Sequence, residues 1–293
     1  MFLPSKILEK KLLRMLAEDI GQGDVTTALV IPPNSTTEVE VIAKESGVIA
    51  GMEEAKILLE SLGLEIKNLV PDGEEVKAKK ALMKISGDIR TILSVERTLL
   101  NIISRMSGIA TITRKLIEKI RKAELKTKVA CTRKVAPGLL YLDKKAVLTG
   151  GGDTHRLHLD DMILIKDNHI MVVGSVEKAV KTVRKNVSFS KKIEVEVTEV
   201  EDVLNAVNAG ADIIMLDNFS AEQIEKAVKI LKNEHLYGKV LLEASGGITA
   251  ENILAYASTG VDVVSLSEIT ASAKALDISL EITKTKASKK TGN

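Results

Sequence analysis

Residues 191–218 read KKIEVEVTEVEDVLNAVNAGADIIMLDN, and this stretch decides the fold. Residues 193–197 alternate apolar and acidic side chains with the two-residue period of a strand. Residues 200–208 carry the spacing of an amphipathic helix, a glycine follows, and ADIIMLDN returns to a strand with a polar end. Parallel neighbours need crossover connections, so a strand, a helix and a second strand at this spacing predict a parallel sheet. The unit recurs outward in both directions. KVACT and MILIKDN precede it; helix 221–232, KVLLEASGG, helix 250–258 and VDVVSLSE follow. Between Lys128 and Ser267 the pattern suits a closed or nearly closed α/β barrel of roughly six to eight strands. No GxGxxG at the first strand–helix turn argues for a dinucleotide-binding sheet instead.

The N-terminal part has a different cadence. Residues 5–18 read as an amphipathic helix ending at Gly21. TEVEVIAKE, GVIAG, LEIKNLV and ALMKISG read as short strands, with a helix near 53–62 and a turn at PDGEE. Mixed short strands beside helices suggest an open α+β domain. A long helix over about 90–122 follows, broken or bent near Ser107-Gly108, with the domain boundary in or beside it. The expected division is 1–110 for the first domain and 111–269 for the barrel, with 270–293 returning to the first.

Composition removes several classes of function. Lys and Arg number 42 against 40 Asp and Glu, and the excess gathers only in the last residues, KTKASKKTGN. Aromatics are 2% of the chain and Trp is absent, which argues against a nucleic-acid partner. A single cysteine, Cys131, cannot build a disulfide framework or a multi-thiolate zinc site, and a cytoplasmic location fits it best. No apolar run approaches the roughly 20 residues of a membrane span, and the N-terminus lacks the core of a signal peptide.

In α/β barrels catalytic groups sit at the carboxyl ends of strands. Those ends here carry Arg133-Lys134, Lys166, Glu194 and Glu196, Asp217, Glu243 and Ser245, and Ser265. A charged residue just past a strand is usually solvated, yet recurrence at one point of the repeat brings cations and carboxylates to one mouth. Strand alternation puts Glu194 and Glu196 on one face, where a carboxylate needs a cation, a metal or a substrate. The last two strands end in SGGI and VSLSE. Ser245-Gly246-Gly247 before a helix start offers backbone N–H groups to an anion, and barrels often bind phosphate at these loops.

The stretch 149–170, TGGGDTHRLHLDDMILIKDNHI, holds three of the four histidines. A metal reading would use His155, His158, His169, Asp160 and Asp161, but the spacing matches no compact zinc pattern. Its glycines are not a phosphate-binding Walker loop, since no Lys-Ser/Thr follows in frame. They are expected to keep side chains clear where Arg156 approaches a substrate. Arg156 and Lys166 add to the cations of Arg133 and Lys134, which implies a substrate with several negative groups.

Assembled, these residues resemble the quinolinate phosphoribosyltransferase family. The likeness rests on EDIGQGDVTT, VERTLLNIISRMSGIAT, CTRKVAPGL, KKAVLTGGGDTHRLHLDDMILIKDNHI, IEVEV, GADIIMLDN, EASGGI and GVDVVSLSEITASAKALDISL. It implies an α/β fold, an N-terminal α/β sandwich domain plus an incomplete, open α/β barrel. It implies a homodimer with shared active sites, with further assembly to a hexamer an option, and the reaction of quinolinate with phosphoribosyl pyrophosphate and Mg²⁺. Carried over by motif, Arg133, His155, Arg156 and Lys166 would face the quinolinate carboxylates, joined by Arg97 of the partner subunit. Lys134, Glu196 and Asp217 would hold the phosphoribosyl donor and its Mg²⁺, and these three with Lys166 are the implied catalytic set. Ser245, Gly246, Gly247 and the turn from Ser265 to Ser267 would cradle the 5′-phosphate. Val135, Ala136 and Leu140 stand where the family usually has two threonines and an arginine, and Ser267 where glycine is common.

Three rival readings are weighed against this one. A relative of the same fold could use nicotinate or serve a molybdate operon, although IKDNH and the full set of cations favour quinolinate. A Schiff-base aldolase would use Lys166 or Lys134, but a lysine among cations and carboxylates is more simply an anion ligand. DGEEVKAKKALMKISG has the hairpin cadence of a lipoyl carrier without its modifiable turn lysine.

Overall fold

The computed structural model describes residues 3–286; residues 287–293, the end of the basic run, lie outside the described residues. The chain forms two compact units. The first runs to Ile112 and takes in Tyr141–Gly150 and the segment from Ala273; the second is Thr113–Leu140 and Gly151–Ser272.

The elements in chain order begin with α1 (Ser5–Ile20), α2 (Val25–Val30), β1 (Thr36–Ala43), β2 (Gly47–Val48) and α3 (Met52–Ser61). There follow β3 (Glu65–Lys67), β4 (Glu75–Val76), β5 (Ala81–Asp88) and α4 (Ile89–Lys122). The second unit's elements start at β6 (Lys128–Cys131); α5 (Leu140–Gly150) interrupts them and, from Tyr141, belongs to the first unit. Then come β7 (Ile163–Ile165), α6 (Asp167–Val173), α7 (Val176–Asn186), β8 (Ile193–Val197), α8 (Val200–Ala209), β9 (Ile213–Asp217) and α9 (Ala221–Asn233). The chain continues with β10 (Leu241–Ser245), α10 (Ile253–Ala257), β11 (Val263–Leu266), α11 (Glu268–Ala271) and β12 (Ile278–Lys286).

The first unit is built on an antiparallel sheet in the order β12-β1-β5-β3. β1 shows why it forms: every second residue, Thr37, Val39, Val41 and Ala43, is buried, the two-residue period of a half-covered strand. α1 buries Leu8, Leu12 and Leu16, one face at four-residue spacing, and packs on α3. The helix expected to break at Ser107-Gly108 instead runs unbroken through α4. Gly108 is a packing residue there: a Cβ would meet the Lys274 carbonyl oxygen at 2.1 Å. Ser107 Oγ accepts from the Ala50 amide at 3.0 Å, joining the helix to the loop before α3. A glycine that allows close backbone approach resembles a break in sequence although it sits within a regular helix.

The second unit is a parallel sheet of six strands in the order β6-β11-β10-β9-β8-β7. The two end strands do not pair with one another among the described residues, so the barrel is open. β8 is buried along its whole length, as a strand covered on both faces requires. α9 explains its own boundaries and position. Ser220 and Gln223 form a reciprocal capping box, and Ile224, Ala227, Val228 and Leu231 line the buried face. Two matching devices set strand starts: the carboxylates of Asp212 and Asp262 accept from the amides of Ile193 at 2.7 Å and Leu242 at 2.8 Å. No helix among the described residues is long and apolar enough to cross a membrane.

Candidate active site

The parallel register stacks the strand-end residues in layers. Ser245 pairs with Asp217 on one side and Ser265 on the other; one layer deeper, Met215 pairs with both Glu196 and Glu243. A cavity of about 600 Å³ opens over these layers. Its lining includes Arg133, Lys134, His155, Arg156, Lys166, Glu196, Asp217, Ser245, Gly246, Gly247, Ser265 and Ser267. These residues therefore face one space, whereas Glu194, expected at the same mouth, is fully buried and does not line it. Arg97 is an exposed residue of α4 in the first unit.

The loop after β6 is a tight turn. The Lys134 amide donates to Thr132 Oγ1 at 3.1 Å and the Val135 amide to the Arg133 carbonyl at 3.0 Å. Buried Thr270 donates its hydroxyl to the Lys134 carbonyl at 2.8 Å, tying this loop to α11. Arg133 and Lys134 are left exposed at the mouth. Val135 and Ala136 make no polar demand on the turn, which backbone groups close.

The stretch 149–170 resolves into anchors. Gly151 has φ +94°, and a Cβ there would meet only Ile117 Cδ1 at 3.5 Å, so left-handed backbone sets this glycine and not the approach of Arg156 to a ligand. Asp153 bridges to β6: its amide donates to the Val129 carbonyl at 2.8 Å and its carbonyl accepts from the Cys131 amide at 3.1 Å. His155 has φ +51°, a conformation that costs a non-glycine residue on the order of 1–3 kcal/mol and persists only where the surroundings over-determine it. Those surroundings are explicit. The His155 amide donates to Asp153 Oδ1 at 2.9 Å, and Nε2 lies 3.2 Å from Glu194 Oε2 and 3.1 Å from Glu243 Oε2. Burial opposes charge on this ring, but the two carboxylates outweigh it and push the imidazole up to about 10. The Arg156 amide, 2.8 Å from Nδ1, favours an unprotonated Nδ1 and works the other way. Two charged partners outweigh one neutral hydrogen bond, and Nε2 keeps its proton in either state. Burial holds Glu194 above the usual carboxylate range. Arg156 is buried; burial and the nearby Arg133 charge lower its guanidinium.

Of the other polar residues here, Asp161 accepts from the amides of Leu157 at 2.6 Å and His158 at 3.0 Å, fixing the turn after Arg156. His169 Nδ1 accepts from the Lys166 amide at 2.9 Å and caps α6. The last residue of IKDNH thus fixes the backbone from which the Lys166 side chain leaves. Lys166 Nζ is ion-paired with Glu196 Oε1. The histidines thus do not gather on a metal; among the described residues His155 shares its cluster only with Glu194 and Glu243.

At the SGGI loop, Gly246 and Gly247 have φ +88° and +63°. A Cβ on Gly246 would sit 2.3 Å from Asn218 Oδ1 and 2.9 Å from its amide nitrogen, whereas one on Gly247 would meet nothing within 4 Å. Asn218, itself at φ +58°, donates from Nδ2 to Asp217 Oδ2 at 3.0 Å and so orients that carboxylate. Sequence reading gave Asn218 no role; its signal was an amide side chain, tolerant of left-handed backbone, directly after a strand-end acid. The helix expected from residue 250 begins only at Ile253 and lasts five residues. Asn252 takes the chain through a turn instead, donating to the Gly247 carbonyl at 2.9 Å and accepting from the Thr249 amide at 2.7 Å. An anion here would meet loop amides and hydroxyls more than a helix dipole. Ser265 Oγ is buried with no hydrogen-bond partner among the described residues, a donor at the cavity wall. Ser267 has φ −76°, so serine in place of the common glycine carries no backbone strain.

A family model for the N-terminal domain of quinolinate phosphoribosyl transferase matches residues 24–107, and one for its C-terminal domain matches 109–281. The chain belongs to the quinolinate phosphoribosyltransferase family. A relative from Methanothermobacter thermautotrophicus, named probable nicotinate-nucleotide pyrophosphorylase (carboxylating), is 45% identical over 92% of this chain and 96% of its own. One from Mycobacterium leprae, nicotinate-nucleotide pyrophosphorylase (carboxylating), is 38% identical over 92% and 95%. The solved nicotinate-nucleotide pyrophosphorylase from Francisella tularensis superposes with a TM-score of 0.87 at 40% identity, covering 96% of this chain and 98% of that one. As a member of the quinolinate phosphoribosyltransferase family, the chain is a phosphoribosyltransferase. Its cavity brings together cations, carboxylates and a small-residue loop.

Proposed function

We propose that this cavity transfers the phosphoribosyl group of phosphoribosyl pyrophosphate to quinolinate with loss of carbon dioxide, giving nicotinate mononucleotide and pyrophosphate. The observation that carries the assignment is the convergence of Arg133, Lys134, Arg156 and Lys166 on one cavity with Glu196 and Asp217. Quinolinate carries two adjacent carboxylates, and two guanidinium groups can each bind a carboxylate in two-pronged fashion. Arg133, Arg156 and Lys166 bind and orient the acceptor; Lys134, Ser245, Gly246, Gly247, Ser265 and Ser267 take the phosphates of the donor. His155 lines the same cavity beside Arg156 and is read with Arg133, Arg156 and Lys166 as a ligand of the acceptor carboxylates.

The ring nitrogen attacks the anomeric carbon as pyrophosphate leaves, and Glu196 or Asp217 stabilises the positive charge building on the ribose. The alkylated nitrogen is then cationic. The C2 carboxylate departs as carbon dioxide, its bonding electrons remain at C2 beside that cation, and C2 takes up one proton. The protein orients the groups and excludes water. Asp217 is half-exposed and Glu196 reaches the same cavity, so the pair offers hard carboxylate oxygens of the kind Mg²⁺ takes beside substrate phosphates and water. Mg²⁺ held by these two carboxylates would supply charge neutralisation for the leaving pyrophosphate. We read the enzyme as a cytoplasmic homodimer in which Arg97 reaches the partner's acceptor site.

The test is turnover with quinolinate labelled in the 2-carboxyl group. Labelled carbon dioxide should appear in equal amount to pyrophosphate and only when donor and Mg²⁺ are present. Consumption of nicotinate without carbon dioxide would assign the nicotinate-using relative instead, and borohydride trapping of Lys134 or Lys166 an aldolase.

A further inference from the structure

We infer that Thr270, behind the cavity wall, is a positioning residue for the phosphoribosyl donor: its hydroxyl fixes the backbone from which Lys134 reaches the cavity. The inference rests on the quinolinate reading above and deepens it at the donor end of the site.

Thr270 is fully buried in α11 and does not line the cavity, so whatever it does for the reaction it does through other residues. Its hydroxyl faces two carbonyls, that of Lys134 at 2.8 Å and that of Ser267 at 3.3 Å. A hydroxyl has one hydrogen to give, and the shorter contact is the better bond. Ser267 does not depend on it, because its carbonyl also accepts from the amides of Thr270 at 3.1 Å and Ala271 at 2.8 Å. What the hydroxyl adds is a tie across 136 positions of sequence, from the helix after β11 to the loop after β6. These strands are parallel neighbours with Leu266 paired to Cys131, so their carboxyl ends emerge side by side.

The loop after β6 has a use for such a tie. Lys134 is exposed at the mouth, and a lysine is a point charge on a flexible stem, so its aim begins with where its backbone stands. The Lys134 amide leans on Thr132 Oγ1, and the Arg133 carbonyl accepts from the Val135 amide, both within the turn itself. Val135 and Ala136, standing where the family usually has threonines, bring no side-chain hydroxyl to the turn. The hydroxyl that holds the Lys134 carbonyl comes instead from Thr270. Arg133 is kept by the turn's own bond, and the effect of Thr270 falls on Lys134.

A split between two Michaelis constants tests this. Thr270→Val keeps the shape and removes the hydroxyl. KM for phosphoribosyl pyrophosphate should rise about tenfold, as for a displaced ligand. KM for quinolinate should stay within about twofold, because Arg133, Arg156 and Lys166 keep their own supports. Thr270→Ser retains the hydroxyl and should return the donor KM to near the wild-type value. In a Lys134→Ala background, Thr270→Val should add little to the loss, since both act through one side chain. Thermal unfolding checks that each variant is folded; if Thr270→Val is not, Thr270→Ala removes the same hydroxyl and carries the same comparison. An unchanged donor KM in a folded variant without the hydroxyl, equal rises for both substrates, or a serine variant no better than valine overturns the inference. Wild-type enzyme that fails to turn over quinolinate overturns the underlying reading instead.

Discussion

The two units bury charge in opposite ways. In the first, Arg105 grips fully buried Asp143 with two hydrogen bonds of 2.7 and 2.8 Å, and Lys145 joins Glu53 to fully buried Glu54, 2.7 Å from its Oε1. Each of these two cations meets a carboxylate on another helix, with Glu54 Oε2 left without a hydrogen-bond partner among the described residues. In the second unit burial and then the nearby Arg133 charge lower Arg156, and the acids lining the cavity are shared among a histidine, a lysine and an amide. A buried ion pair is poor evidence for a site; cations brought together at strand ends are better evidence, because a bound anion makes the arrangement more favourable.

Paired substitutions can break this contrast. Arg133→Ala should lower kcat/KM for quinolinate by about 100-fold or more, the loss of a charge-assisted pair, with little change in melting temperature. Lys145→Ala should do the opposite. It leaves Glu54, already pushed up by burial, without its cation, and removing one partner of a buried pair costs about 3–5 kcal/mol. The deficit should shrink in acid, where Glu54 is protonated. Calorimetry at two pH values and steady-state kinetics of both variants decide it. If Arg133→Ala melts early, or folded Lys145→Ala loses catalysis, the division between structural and functional charge fails.

That division was only partly legible in the sequence. The strand–helix period and the polar strand ends located the barrel and its mouth, because alternation and crossover length are local properties. Arg133, Lys166, Glu196 and Asp217 were singled out by their positions in that repeat and Arg156 by the stretch 149–170, and all five line the cavity. What escaped depends on tertiary approach. Gly108 looked like a helix break because Lys274, distant in sequence, is what forbids its side chain. Gly246 looked like part of a phosphate cradle, and its tight contact with Asn218 lies on the neighbouring strand end. The engagement of His155 by Glu194 and Glu243 needs three segments at once, and no spacing announces it.

The two glycines of the phosphate loop sharpen the contrast within one site. Gly246→Ala forces a Cβ against Asn218 and holds an L-residue at φ +88°; overpacking and backbone strain together should cost about 2–4 kcal/mol. It should also reduce kcat, because Asn218 orients Asp217. Gly247→Ala meets open space and carries only the backbone penalty, about 1 kcal/mol. Melting temperature and kcat of the two variants would separate them. Equal effects would mean that the Asn218 contact does not govern this loop.

The smallest expected effect concerns His155 and separates a buried charge held by structure from one held for a ligand. Its folded-state value, about 10, exceeds the unfolded value. The stability this contributes is therefore complete below the unfolded value of about 6.5 and disappears as pH rises through about 10. Other groups titrate in the same range, so the comparison is with His155→Asn, whose side chain can still accept from the Arg156 amide but cannot hold a proton between the two acids. Between about pH 7 and pH 10 the melting temperature of the wild type should fall a few degrees further than that of the variant. Parallel slopes would show that the ring is neutral throughout and that the Arg156 amide, not the two glutamates, dictates its protonation.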